Sequence, residues 1–291
     1  GTCPAPVTSD EATLTVTLTS PVLAVKAFLG ASYVDATDKM HDKLRLANLI
    51  PNAQPYNGTQ YTDFAYSGSE TIGAGVLAVS GDNAIVDWVM LELRDASNPA
   101  TIIARKAALI QRDGDVVSST DGVSSVTFTG TPAGDYYVAL RHRNHLGVMT
   151  MGSLSLSGLL TTIDFTSAST LNYQLSGPNG SPHAQQVLTN NKRALWSGNY
   201  SNSNSTGNRL IYQGNDSDPD EVYYRVLLDL GNINVLPNYI VVAYDRADGN
   251  LDGNVIYQGS DSDEEIPFFN VLLFPGNGSS LPNYVVFQQI P

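Results

Sequence analysis

The sequence predicts a mainly β protein: an antiparallel β-sandwich followed by a small domain of two repeats. Three observations lead there. Short stretches with apolar alternation, separated by turn signals, run through the first 166 residues. Four blocks of sequence recur near the C-terminus at one constant offset of 45 residues. Acidic residues are concentrated in the same region, with 12 Asp+Glu against 3 Lys+Arg over residues 197–291.

Residues 12–19 alternate Leu14, Val16 and Leu18 with Thr, the pattern of a half-buried strand. A second strand is expected over residues 22–29, and a short helix over 37–46 before Pro51. Residues 51–80 are rich in Gly, Asn and Tyr and read as a long loop, with Tyr56, Tyr61, Phe64 and Tyr66 as a candidate exposed aromatic row. Strands are then expected within 84–95, 101–113, 124–130, 134–144, 153–158 and 161–166. Asn98-Pro99, Asp113-Gly114, Asp121-Gly122 and Pro132-Ala133-Gly134 supply turns between them. The turn-into-strand entry PAGDYYVALR suggests an immunoglobulin- or transthyretin-like sandwich. Residues 167–196 lose the periodicity and read as a linker. The expected organisation is an N-terminal extension (1–21), a sandwich (22–166), this linker, and two 45-residue repeats (197–291).

Composition narrows the function. The net charge of −13 argues against nucleic acid and against anionic membranes as partners. No apolar run of the length needed to span a bilayer occurs, so membrane insertion is not expected. The single Cys3 excludes an internal disulfide and a multi-cysteine zinc site. A start at Gly1 with no leader pattern is expected of a processed chain. Scarce Lys, abundant Asn, Ser, Thr and Tyr, and Asn-x-Ser/Thr sequons at Asn57, Asn179, Asn199, Asn204, Asn215 and Asn277 point to an extracellular location.

The repeat carries the chemistry. Ile211-Tyr212-Gln213-Gly214 returns as Ile256-Tyr257-Gln258-Gly259, and Leu236-Pro237-Asn238-Tyr239 as Leu281-Pro282-Asn283-Tyr284. Just ahead of the second copy, Asp248-Gly249-Asn250-Leu251-Asp252-Gly253-Asn254-Val255 fits the start of an EF-hand-type loop. Ca²⁺ takes six to eight oxygens, and alternate residues of a tight loop place Asp248, Asn250 and Asp252 on its inner side. The Asn254 carbonyl would add a donor. The twelfth position holds Gly259, so Asp261 or Asp263 would have to complete the set. The first copy, with Asn202, Asn204 and Thr206 and then Asp216 and Asp218, lacks early carboxylates and is expected to bind more weakly. Asp218-Pro219-Asp220-Glu221 reads as a helix start with Asp218 at the N-cap, and Val222, Val226 and Leu230 as its apolar face up to Gly231.

Of the histidines only Arg141-His142-Arg143-Asn144-His145 invites a metal reading. On one strand residues three apart face opposite sides, so His142 and His145 are read as a polar strand end. No nucleophile elbow, zincin, P-loop or dinucleotide motif occurs, so no catalytic residue is assigned and an enzyme is not expected.

The stretches LIPNAQPY, IVDWVMLELRDASNPATIIARKAALIQRDGDVV and DGVSSVTFTGTPAGDYYVALRHRNHLGVMT resemble a family of secreted, adhesin- or hemagglutinin-like surface proteins of Bacteroidota-type bacteria, substrates of type IX secretion. In that family a dockerin-like stretch follows the β-domain, and DGNLDGNVIYQGSDSDEEI is similar to it. The resemblance spans about residues 22–291 and implies an extracellular or cell-surface, non-catalytic, calcium-supported role. No sorting domain follows Pro291, as cleavage after export would leave it. A structural or adhesive protein is the first expectation, assembled head-to-tail with copies of itself as a surface filament. Leu14, Val16 and Leu18 would then anchor an added β-strand. The alternative is a carbohydrate- or protein-binding module of a secreted multidomain protein, with surface glycans or matrix as partners.

Overall fold

The computed structural model describes Gly1, residues 19–201 and residues 208–291. Leu14, Val16 and Leu18 lie outside the described residues, as do Asn202, Asn204 and Thr206. The chain is mainly β, and its sheets are predominantly antiparallel and not closed into a barrel. Strand β1 (Val22–Lys26) ends earlier than its apolar run suggests, and β2 (Tyr33–Val34) and β3 (Lys39–Met40) form a small hairpin. Only Lys43–Leu46, α1, is helical in the segment expected as a longer helix. Asp38 takes a left-handed φ of 55°, which turns the chain back into a hairpin where a helix would have continued.

The centre of the molecule is the long pair β4 (Ile85–Asp95) and β5 (Ile102–Gln111), in one register from Asp87↔Ile110 to Leu93↔Ala104 with a shift at each end. Residues 85–94 of β4 are all buried, because both faces of this strand are covered. The supposed exposed aromatic row provides part of that cover. Tyr56, Tyr61 and Phe64 are buried around a 3-10 turn (Thr59–Phe64), with the rings of Tyr56 and Phe64 4.4 Å apart. The Tyr56 hydroxyl donates to the Trp88 carbonyl at 2.8 Å. These rings are core, not a ligand platform.

Further along come β6 (Asp115–Val117), β7 (Val126–Thr127), β8 (Gly134–His142), β9 (His145–Met149), β10 (Leu154–Leu156) and β11 (Leu160–Asp164). With β1, β4 and β5 they make one nine-stranded sheet in the order β10-β8-β4-β5-β6-β1-β11, with β7 on β1 and β9 on β8. β1 pairs with β11 in parallel, Val22↔Leu160 to Lys26↔Asp164.

The stretch read as a linker does more than connect. It carries β12 (Gln186–Val187) and β13 (Arg193–Ala194), and its apolar end is built into the sheet region. Leu195 is fully buried and its N–H donates to the Phe28 carbonyl, while the Trp196 carbonyl accepts from Leu146. Burying the side chains of Ala194, Leu195 and Trp196 outweighs the weak local pattern.

The C-terminal region runs β14 (Arg209–Ile211), α2 (Asp218–Leu227), β15 (Ile240–Val242), β16 (Asn254–Ile256), α3 (Glu265–Leu272) and β17 (Val285–Phe287). Strand bounds recur 45 residues apart, and the pairing is crossed: β14 with β17, β15 with β16. Each unit's first strand is therefore completed by the other unit's last. Asn232 and Asn277 hold equivalent corners. Each donates from Nδ2 to a helix carbonyl (Val226, Val271) and to a turn carbonyl (Leu236, Leu281), all at 2.9 Å. Helix α2 is capped by Ser217, with Asp220 closing a capping box, rather than by Asp218. The Asp218 side chain is turned inward onto backbone N–H groups and is not free to cap. The helix stops at Leu227, leaving Leu230 97% exposed.

Candidate cation-loop and hairpin site

Asp248 and Asp263 face each other from the two ends of the second loop, and both are fully buried. Asp248 accepts from the N–H groups of Asp252 at 3.1 Å and Gly253 at 3.0 Å. Gly253 sits at φ 90°, the left-handed turn that glycine tolerates. Asp263 accepts from Gly249 at 2.8 Å, and from Ile256 at 2.8 Å through its other oxygen. Asn250 Oδ1 and Asp252 Oδ1 each cap a turn two residues on, at Asp252 and Asn254. Asp261 is exposed and contributes only its carbonyl, which accepts from Asn250 Nδ2 at 3.4 Å. Of the two candidates for closing the loop, the fold thus brings in Asp263 and leaves Asp261 outside.

Burial pushes Asp248 up to about 7, with Asp252 adding to the rise and Arg143 opposing it. Burial, and then the nearby Asp248, push Asp263 well above the usual carboxylate range. Among the described residues no three acidic, histidine or cysteine side chains form a metal-holding group on their own. A cation here would need amide and carbonyl oxygens beside the carboxylates, which are the hard donors Ca²⁺ accepts.

The first loop is built to the same hydrogen-bond plan in a different register from the one the sequence suggests. Asp218, buried like Asp263, accepts from Tyr200 at 2.7 Å, Ser201 at 3.3 Å and Ile211 at 2.6 Å. Tyr200, Ser201 and Ile211 therefore correspond to Gly249, Asn250 and Ile256, and Asn199 corresponds to Asp248. The loop runs from 199 to 218 against 248 to 263, so it is four residues longer. Asn199 is buried and its Oδ1 has no hydrogen-bond partner. Burial pushes Asp218 up to about 7. Asp216, like Asp261, is exposed at a left-handed φ. An amide has taken the place of the first carboxylate.

The β8–β9 hairpin reaches into the second loop. His142 pairs with His145, leaving Arg143 and Asn144 at the tip. The two histidines do not lie on one strand, and their Nδ1 atoms are 3.0 Å apart, fully buried. Burial holds both below the usual histidine range, His145 well below it. The parity argument failed because the chain reverses between them. Arg143 Nε donates to Asp87 Oδ2 at 2.9 Å, its guanidinium lies 4.5 Å over the Tyr244 ring, and it approaches Asp248 at 3.7 Å. Asp87 also accepts from the Tyr244 hydroxyl at 2.7 Å. Burial alone would raise Asp87, but Arg143 and His142 hold it down at about 2. Asn144 Nδ2 donates to the carbonyls of Arg246 at 3.0 Å and Asp248 at 2.6 Å. The loop and the sheet thus share one buried polar junction.

No family model matches the chain, and no curated protein or solved structure is similar to it. The site has to be read from its own geometry. Asp87, Arg143, Asn144, Asn199 and Tyr244 were not picked out by sequence. The charged RHRNH tip inside an apolar run was the available signal for Arg143 and Asn144. A cleft of about 340 Å³ lies beside the junction, lined by Gln60, Tyr224, Arg225, Leu228, Asp245 and Arg246 among others.

Proposed function

We propose that this chain is a non-catalytic extracellular structural or adhesive protein in which calcium stiffens the C-terminal loop. The observation that carries the reading is the burial of Asp248 and Asp263 at the two ends of one loop, with Asp248 against the tip of the β8–β9 hairpin. Asp248 approaches a single guanidinium, Arg143, which Asp87 already engages, and the buried Asp263 raises the cost further through its nearness to Asp248. Uncompensated buried charge is unfavourable, and a divalent cation relieves it. Asp248, Asn250, Asp252 and Asp263 would hold the ion, with Asn254 next to it through its carbonyl. Bound calcium supplies charge neutralisation and rigidity. Asn144 and Arg143 would pass that rigidity into the sheet. We extend the proposal to a sandwich arrangement of the sheet, to two dockerin-like repeats, and to the adhesin-like surface family that the sequence resembles. The first loop, with Asn199 and Asp218, would hold calcium weakly or not at all.

Extracellular placement agrees with exposed sequons at Asn57, Asn179 and Asn215. Asn199 and Asn277 are buried and would not be modified in the folded chain. The deciding experiment is calcium-dependent stability. At a hundredfold excess over Kd, binding to the folded state adds about 2.7 kcal/mol. A chelator should lower the melting temperature, and Asp248→Ala with Asp252→Ala should remove that difference. An unchanged melting temperature in chelator refutes the reading. The cleft beside Tyr224 and Arg246 favours the second reading, a glycan-binding module, which a glycan array would reveal.

A further inference from the structure

We propose that a slot between β5 and β7 accepts residues 12–18 of a second copy of this chain as an added β-strand. The proposal rests on the structural reading above and names the acceptor for its assembly. β4 pairs with β5 along its whole length, from Ile102 to Gln111. On the other side, β6 pairs with β5 only at Leu109 and Ile110. β7, which would continue that row, pairs with β1 at Val22 and Leu23. Among the described residues no strand joins β5 to β7, and a cavity of about 640 Å³, bordered also by residues 69–73 and 118–125, lies between them. An open edge of this kind is a template for another strand.

The gap is chemically incomplete as well as open. The Ala107 N–H is directed away from β4 and meets only the Tyr66 hydroxyl, at 3.4 Å. Arg105, two residues earlier, presents its backbone groups on the same edge. Glu70 lines the cavity, and its Oε1 accepts from Tyr66 at 2.6 Å and faces Lys106 at 3.2 Å. Its Oε2 is buried with no hydrogen-bond partner. A buried acceptor left without a donor is unfavourable, and a strand's N–H or a threonine hydroxyl would satisfy it.

The occupant matches face for face. Along the β7 side, Val126 and Phe128 are buried while Thr127 and Thr129 are exposed. Residues 12–18 repeat that alternation, with Leu14, Val16 and Leu18 against Thr13, Thr15 and Thr17. Cross-strand Thr–Thr and apolar pairs are favourable sheet contacts. The described chain that leads into this segment lies on the other side of β7. Pro21 accepts from Phe128 N–H at 2.9 Å and Ser20 Oγ from Gly130 N–H at 3.3 Å, so the chain enters on the β1 side of β7. The slot lies beyond β7, about two strand spacings or 10 Å away. A second copy, free of that tether, can place the whole alternation there, giving a head-to-tail contact.

The test uses full-length chains with one partner surface disabled at a time. Val16→Lys blocks the donor. Thr127→Trp fills the acceptor, and Thr129→Trp is a second acceptor block should the first disturb folding. The wild type should grow in mass with concentration on analytical ultracentrifugation, and each variant alone should stay monomeric. A 1:1 mixture of donor-blocked and acceptor-blocked chains should form a complex of two and go no further. Amide exchange at Arg105 and Ala107 of the Val16→Lys chain should then slow by at least about tenfold. A wild type that stays monomeric, a mixture that stays monomeric, or pairing that leaves those amides unprotected overturns the proposal. Chelator-dependent melting of the Val16→Lys monomer reports on calcium separately, so the two readings can fail independently.

Discussion

Asp87 and Asp248 flank the same guanidinium, and their surroundings act on them in opposite directions. Arg143 holds Asp87 at about 2, so its contribution to stability is present above the unfolded value of about 4 and lost as pH falls through 2. Asp248 is raised to about 7, so without a cation the folded state keeps a proton that the unfolded state gives up above about pH 4. Its contribution is complete below about pH 4 and falls as pH rises to 7, by at most about 1.4 kcal/mol per pH unit. In chelator, urea unfolding should therefore show lower stability at pH 7.5 than at pH 5. Asp248→Asn should flatten that slope, and calcium should reverse it by favouring the ionised form. Equal stability at the two pH values would contradict the buried-carboxylate description. At this scale the sequence was informative about residue type. Asp248, Asn250 and Asp252 could be named from a spacing, but Asp263 was chosen over Asp261 only by the turn at Asp261 that leaves its side chain in solvent.

The two halves of the C-terminal region can be compared element by element. Asn232 and Asn277 each tie the end of a helix to the following turn, and each also accepts from a backbone N–H, Leu236 at 2.8 Å and Leu281 at 2.9 Å. Replacing either by Ala leaves buried backbone groups without partners, at a cost of about 1–3 kcal/mol per unsatisfied group. Urea midpoints of Asn232→Ala and Asn277→Ala should fall by similar amounts. A neutral substitution at either position would show that the turn is solvated. The equivalence of the two units was legible through the Ile-Tyr-Gln-Gly blocks, but the short strands that pair across them were not. In loop one Asn202, Asn204 and Thr206 lie outside the described residues, and the bonds to Asp218 align Asn199 with Asp248 in a loop four residues longer. Hydrogen bonds to Asp218 set the true register, and no local spacing encodes them.

At the scale of the whole molecule, the hairpin tip makes the sheet and the C-terminal region one thermodynamic unit. Scanning calorimetry of the wild type should show a single transition, and chelation should move all of it. Removing one partner of a buried ion pair costs about 3–5 kcal/mol, so Arg143→Ala should lose that much and separate the melt into two steps. A single, unshifted transition in that variant would show that the junction carries no coupling. The sequence by itself determined that the chain is mainly β, where the long strands β4, β5 and β8 begin, and which acidic loop could attract a cation. Those are local properties, set by alternation, turn residues and the oxygen chemistry of Asp and Asn. Tertiary structure alone decided that Tyr56, Tyr61 and Phe64 are core, that residues 193–196 belong to the folded body, and that His142 faces His145. It also placed Asp87, more than fifty residues from Arg143 in sequence, against the guanidinium that reaches Asp248. Contacts of that kind follow from how the elements stack and where the chain reverses, and short-range periodicity carries no record of either.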